Sequence, residues 1–251
     1  MATVEVQQSS LGEAPAKAVP LAPATTSVHD SKWPYPAEQD GWKVSHDGLR
    51  KQMQDLQRAL SALIARSKDG TPIPAWQREI LKTWMDRFVK NVEDHHDHEE
   101  HIFYPALAKR ITLPERFTSD HKHLMEAVGE MHHMVNTLAA TESNPLDGLQ
   151  ALKAKMDVFQ PEMDEHLREE EVQGIPLQRQ AFSQKEWQPL VDQVVSESKP
   201  MDLPGVVLHL DWDAKREWML VQGIPGFVVK FILLPRCRKY CKQVFARLPQ
   251  P

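Results

Sequence analysis

Four stretches of this chain repeat apolar residues three or four positions apart, each over a length that suits a surface-packed helix. The first runs from about Ser45 to Arg66 along His46, Leu49, Met53, Leu56, Leu60 and Leu63. Ser45 reads as its N-cap, and KDGTPIP (68–74) as the loop that follows. The second runs from about Pro74 to Tyr104 through Trp76, Ile80, Trp84, Phe88, Val92, His95, Glu99 and Ile102, until Pro105 disturbs it. The third starts near Pro114 and carries Phe117, His121, Leu124, Val128, Met131, Val135 and Leu138, with TESNPLDG (141–148) as the next turn. The fourth carries Leu149, Leu152, Met156, Phe159, Met163, His166 and Glu170, ends around Gly174 and Pro176, and is expected to kink at Pro161. These stripes predict an all-α fold: an up-down-up-down antiparallel four-helix bundle with a helical C-terminal appendage.

The flanks differ in composition. Residues 1–35 are rich in Ala, Pro, Ser and Thr, bury too little apolar surface to offset ordering entropy, and are expected to be a disordered tail. The aromatic lead-in WPYPAEQDGW (33–42) should pack its rings on the bundle, which then occupies 36–178. Residues 179–251 form an accessory region of short helices with a basic, apolar end. That end is expected to pack on the bundle, with contact to a membrane surface or a protein through 226–248 as the alternative. A net charge of −5 offers no field for nucleic acid. The apolar stretch from Leu220 to Leu234 is interrupted by Gly223, Pro225, Gly226 and Lys230, and falls short of the ~20 residues a membrane helix needs. Cys237 and Cys241 read as free thiols in a reducing compartment. The first residues lack the pattern of a secretory signal, so a cytoplasmic protein is expected.

The chemistry lies in the stripes. Each carries a histidine on its buried face, and two carry a carboxylate four residues later: His95 with Glu99, and His166 with Glu170. Residues four apart on a helix stand one above the other, so each pair can converge on one point. His46 and His121 lie near the starts of their helices, the two pairs near the ends of theirs. In an up-down-up-down bundle all six therefore share one level. A carboxylate buried there is expensive unless it is paired or bound to metal. HHDHEEHIFYPAL (95–107) and HLREEEVQGIPLQ (166–178) repeat the frame His-x-x-x-Glu-Glu-x-x-x-x-Pro, and the shared proline is expected to stop both helices. Glu100 and Glu171 read as supporting or solvated groups. His96 flanks its stripe and matches Leu167 in the other copy, which places it outside the ligand set. His98, His101, His123 and His133 fall on solvated faces, and His132 lies about three turns from His121. Imidazoles mixed with bridging carboxylates suit iron, most simply two irons, with zinc or manganese as other possible occupants. A ferritin-like oxidase would need Glu-x-x-His on two helices. Glu93 and His96 fit once, but Met163 stands three before His166. A mononuclear zinc hydrolase would need a base separate from the ligands, and none stands apart.

In order and spacing, His46, the HxxxEE run at His95 before an aromatic and a proline, His121, and the HxxxEE run at His166 resemble the hemerythrin-like, or HHE cation-binding, family over roughly 42–178. The resemblance implies terminal ligands at His46, His95, His121 and His166, and bridging carboxylates at Glu99 and Glu170. It implies oxygen or a related small oxidant as ligand, in sensing, storage or detoxification rather than catalysis. A di-iron oxidoreductase handling peroxide or nitric oxide, and a metal-stabilised interaction protein, are the other readings. The family's oxygen carriers have a second histidine four residues after the first on the third helix, where this chain has Met125. They also place a helix-4 Asp where this chain has Glu171. One metal is therefore expected to be short of a ligand.

Overall fold

The computed structural model describes residues 33–140, 145–198, 203–244 and 247, and these form helices with no strand among them. In chain order the helices are α1 Gly41–Lys68, α2 Ala75–His98, α3 Tyr104–Ala108, α4 Arg116–Ala140, α5 Leu146–Glu169, α6 Ile175–Ala181, α7 Gln184–Glu197, α8 Leu203–Val206, α9 Trp212–Val221, α10 Gly226–Val228 and α11 Leu234–Gln243. The four long ones are α1, α2, α4 and α5. Here α1 packs on α5 and α2, α2 on α4, and α4 on α5. Their shared core contains Met53, Leu56, Trp84, Phe88, Val128 and Phe159, all at most 1% exposed. Burying each such side chain stabilises the fold by roughly 1.5–3 kcal/mol before entropy is counted. Trp76, expected on the buried stripe of α2, is instead 47% exposed.

The helix ends differ from the expectation in an informative way. Asp40, not Ser45, caps α1, its carboxylate accepting from the Trp42 amide at 3.1 Å. Ser45 lies a turn inside and donates to the Trp42 carbonyl at 2.6 Å. Pro105 and Pro176 do not stop their helices. After α2 the chain widens into a π-helical turn, Glu99–Phe103, and continues as α3. After α5 it does the same through Glu170–Gly174 into α6. A third such turn, Val229–Leu233, precedes Leu234 and Pro235. A proline has no amide to donate and its ring crowds the preceding turn, so one extra residue per turn gives it room. The α5 helix continues without interruption past Pro161, which is exposed.

The lead-in packs as expected. Trp33, Tyr35 and Trp42 are buried with Phe103, Phe117 and Trp187 in a second apolar cluster. Buried Arg179 ties it down, donating to the carbonyls of Tyr35 (3.0 Å) and Pro36 (3.1 Å) and pairing with Asp40. Of the tail expected over 1–35, residues up to 32 lie outside the described residues. Positions 141–144 of the expected turn do so too, and α5 already begins at Leu146. The appendage is seated on the bundle by two glycines. A Cβ at Gly48 of α1 would stand 2.3 Å from the Val206 carbonyl oxygen, and one at Gly205 of α8 would stand 1.9 Å from Asn91 Nδ2. Val229, Leu233, Leu234 and Cys237 turn inward with Val207 and Met219, whereas Phe227 and Phe231 remain 67% and 68% exposed. Cys237 and Cys241 are free thiols. No helix among the described residues is long and apolar enough to cross a membrane.

Candidate metal centre

His46 in the second turn of α1, His95 and His96 at the end of α2, His121 in α4 and His166 at the end of α5 are all buried. Glu99 and Glu170, the first residues of the two π turns, are fully buried between them. The six residues expected from the sequence therefore come together, and His96 joins them. Its ring stacks on that of His121 with centroids 4.0 Å apart and planes 11° apart, and stands edge-on to His166 at 5.6 Å. The comparison with Leu167 misplaces His96. A better signal is its spacing of three from Glu99, which puts both on one helical face.

The donor atoms sort into two groups, each within a 4.8 Å span: His96, Glu99, His121 and His166, and His46, His95, Glu99 and Glu170. Glu99 belongs to both. Its Oε1 lies 3.1 Å from His95 Nε2, and its Oε2 lies 3.5 Å from His121 Nε2. Glu170 also faces both sides, with Oε2 3.4 Å from His46 Nε2 and Oε1 3.6 Å from His166 Nε2. These approaches lack the alignment of hydrogen bonds. Nε2 of His46, His95, His121 and His166, both ring nitrogens of His96, and Oε2 of Glu99 and Glu170 are buried without a hydrogen-bond partner. So many orphaned donors and acceptors at one spot would cost several kcal/mol in a merely structural core.

The outer atoms are held. His46 Nδ1 lies 3.0 Å from Glu171 Oε1, and His121 Nδ1 lies 2.8 Å from Glu100 Oε1. A carboxylate on Nδ1 fixes the proton there and turns the Nε2 lone pair inward. Arg50 and Lys43 in turn anchor Glu171. Trp42 Nε1 donates to Glu99 Oε1 at 2.5 Å, and the Tyr104 hydroxyl donates to Glu170 Oε1. Burial drives the histidines towards their neutral form: His46, His95 and His96 fall well below the usual imidazole value, and His166 falls to about 3. Burial also pushes the Glu170 carboxyl up to about 8 and Glu99 well above the carboxylate range, the latter reinforced by Glu170. Neutral imidazoles facing carboxyls that resist ionisation are the mark of a site whose charge a cation would balance.

Met125 is half-buried and packs against the main core. The nitrogen expected to be missing from the His121 side has a counterpart in His96. His98 also departs from expectation, being half-buried rather than solvated, while His101, His123 and His133 are exposed. His132 pairs with Asp86 at 2.8 Å.

A family model described as the hemerythrin HHE cation binding domain matches residues 38–177, more than half of the chain. No curated protein and no solved structure matches it.

Proposed function

This chain belongs to the hemerythrin HHE cation-binding domain family, and from that premise we propose a di-iron protein that binds oxygen or a related small oxidant for sensing, storage or detoxification. We read the four long helices as an up-down-up-down antiparallel bundle. Support comes from the meeting of early α1 and α4 residues with late α2 and α5 residues. In this reading His96, His121 and His166 serve one iron, His46 and His95 serve the other, and Glu99 and Glu170 are shared. The observation that carries it is the set of buried, inward-facing nitrogen and oxygen atoms with no hydrogen-bond partner.

When bound, iron would supply a redox-active position for the oxidant. The chain's own contribution is selection and support. Three imidazoles on one side against two on the other leave the His46 and His95 side more open. Trp42 and Tyr104 hold one oxygen of each shared carboxylate, and Glu171 and Glu100 fix two of the imidazoles. Trp42 stands edge-on to His46 and Tyr104 stacks on His121, so the second apolar cluster reaches the site through these two rings. Free thiols at Cys237 and Cys241 suit a reducing cytoplasm.

Anaerobic loading with ferrous iron, metal analysis and an ultraviolet-visible spectrum test the reading. Close to two irons per chain is expected, with a charge-transfer band that appears with oxygen and reverses on its removal. Turnover with peroxide would move the assignment to an oxidoreductase. A colourless protein that holds zinc tightly and refuses iron would overturn it in favour of a metal-stabilised interaction protein.

A further inference from the structure

Between the bundle and the appendage lies a cavity of about 330 Å³ that borders the candidate metal centre at His95. Its walls are Trp42 and Leu49 of α1, Val191 and Val194 of α7, and Val206, Val228 and Leu233 of the appendage. Apart from His95 and His98, the main polar side chains that reach it are satisfied within the protein. Asn91 donates to Gln52 at 2.9 Å, Gln222 to the Gln39 carbonyl at 3.2 Å, and Asp94 and Asp40 are paired with Lys90 and Arg179. A charged guest would shed its water without gaining a counter-charge, and a strongly polar one would leave its own groups unbonded. The space is also built rather than left over. Gly48 meets the backbone carbonyls of Val206 and Gly205 too closely for even one methyl group, which sets α8 against α1, and Gly205 lies directly on the side chains of Asn91 and Gln52. The volume falls within the range of small-molecule sites.

We propose that this cavity binds a neutral, mainly hydrocarbon small molecule with at most one hydrogen-bonding group, for which half-buried His98 on the wall is the handle. The molecule would lie against the outer faces of His95 and Trp42, both of which line the cavity. Because Trp42 also donates to Glu99, an occupant touches one proposed ligand, His95, and the donor that holds the shared carboxylate, and the site is placed to couple an apolar ligand to that centre.

The test uses the full chain, metal-free and iron-loaded, titrated with N-phenyl-1-naphthylamine, a neutral fluorescent aromatic amine. Trp42, Trp187 and Trp218 line the cavity, so saturable binding should quench tryptophan emission by energy transfer. The related anionic probe 1-anilinonaphthalene-8-sulfonate should bind at least about tenfold more weakly, a difference of about 1.4 kcal/mol. Val194→Trp fills the cavity from α7 and Val228→Trp fills it from the appendage. Each should weaken the neutral probe about tenfold or more at an unchanged melting temperature and iron content. Phe227→Ser with Phe231→Ser removes the exposed aromatic patch and should leave the affinity as it was. Non-saturable binding, equal affinity for the anionic probe, or loss that follows the Phe227/Phe231 pair rather than the filled variants would overturn the proposal. Because the metal-free protein is titrated as well, a failure here is distinct from a failure to take up iron.

Discussion

The end of α2 and the end of α5 are two copies of one frame that differ at one decisive position. Both turn a His and a Glu inward, both open into a five-residue π turn that begins at that Glu, and both continue past a proline. In each, an aromatic donor holds the glutamate: Trp42 for Glu99 and Tyr104 for Glu170. The residue after the histidine separates them. In α5 it is Leu167, fully buried in the main core; in α2 it is His96, stacked on His121. The shared frame supplies the symmetric part of the centre, and this one exchange supplies its asymmetry, three imidazoles against two.

The strongest break of the comparison is at the glutamates. Glu99 belongs to both donor groups, whereas Glu170 belongs to one and faces the other only through Oε1, which lies 3.6 Å from His166 Nε2 and already accepts from Tyr104. Glu99→Ala should therefore leave almost no iron, while Glu170→Ala should keep part of it. Iron per chain after identical anaerobic loading decides this, and equal loss in the two variants would remove the distinction. The next largest effect comes from exchanging the differing residue. His96→Leu makes α2 read like α5 and should cost one iron of the pair while leaving the metal-free protein as stable as before. Leu167→His performs the reverse change but puts an imidazole into an apolar core with no partner. It should lower the stability of the metal-free protein by about 1–3 kcal/mol in urea unfolding and add no metal. Should Leu167→His gain iron, the two halves are closer in shape than their packing indicates.

How much of this was legible in the sequence follows the same division. The stripes and the convergence of His46, His95, Glu99, His121, His166 and Glu170 are periodicity, which the chain displays openly. The role of His96 was not, because alignment of the two copies assumes that they are equivalent, and the ring arrangement that breaks the equivalence is three-dimensional. The prolines at 105 and 176 misled for a physical reason. A proline forbids an ordinary α turn, and a sequence rule takes that as an end, yet a helix can widen by one residue and continue. The apolar cavity rests on Gly48 and Gly205, far apart in the chain, and no local pattern announces such a meeting.

Acidity sharpens the comparison through the metal-free protein. Glu170, raised to about 8 from 4.5, favours the fold fully below pH 4.5 and loses that contribution as pH rises towards 8. His166, lowered to about 3 from 6.5, favours the fold fully above pH 6.5 and loses that contribution as pH falls towards 3. Between pH 4.5 and 6.5 the two slopes oppose each other. Above 6.5 the imidazole slope is gone and Glu170 lowers stability by up to about 1.4 kcal/mol per pH unit, with the raised Glu99 acting in the same direction. The chelated protein should therefore be most stable at mildly acid pH and weaken from 6.5 to 8, and iron should abolish that decline by holding the carboxylate ionised. Urea unfolding across pH with and without chelator measures it. A metal-free protein that gains stability from pH 6.5 to 8 would contradict the burial argument.

The smallest expected difference lies behind the ligands, where the two copies again diverge. Glu171 follows Glu170 and holds His46 Nδ1. It is 17% exposed and anchored by Arg50 and Lys43. Glu100 follows Glu99 and holds His121 Nδ1, but it is 41% exposed and has no such anchor among its described contacts. Removing a carboxylate that orients a ligating histidine usually costs about 10–100-fold in metal affinity. Water can replace an exposed partner more readily than a buried one, so Glu171→Gln should fall towards the upper part of that range and Glu100→Gln towards the lower. The Glu171 variant also removes one of the carboxylates that Arg50 faces, leaving it Asp47 and Asp164, and the lost negative charge beside a site that must accept cations acts in the same direction. Competition with a chelator of known affinity ranks the two, and the iron freed first should come from the His46 side in Glu171→Gln and from the His121 side in Glu100→Gln. If Glu100→Gln proves the more damaging, exposure is not what limits these outer bonds, and the His121 imidazole depends on its carboxylate for orientation more than the stacked His96 ring can replace.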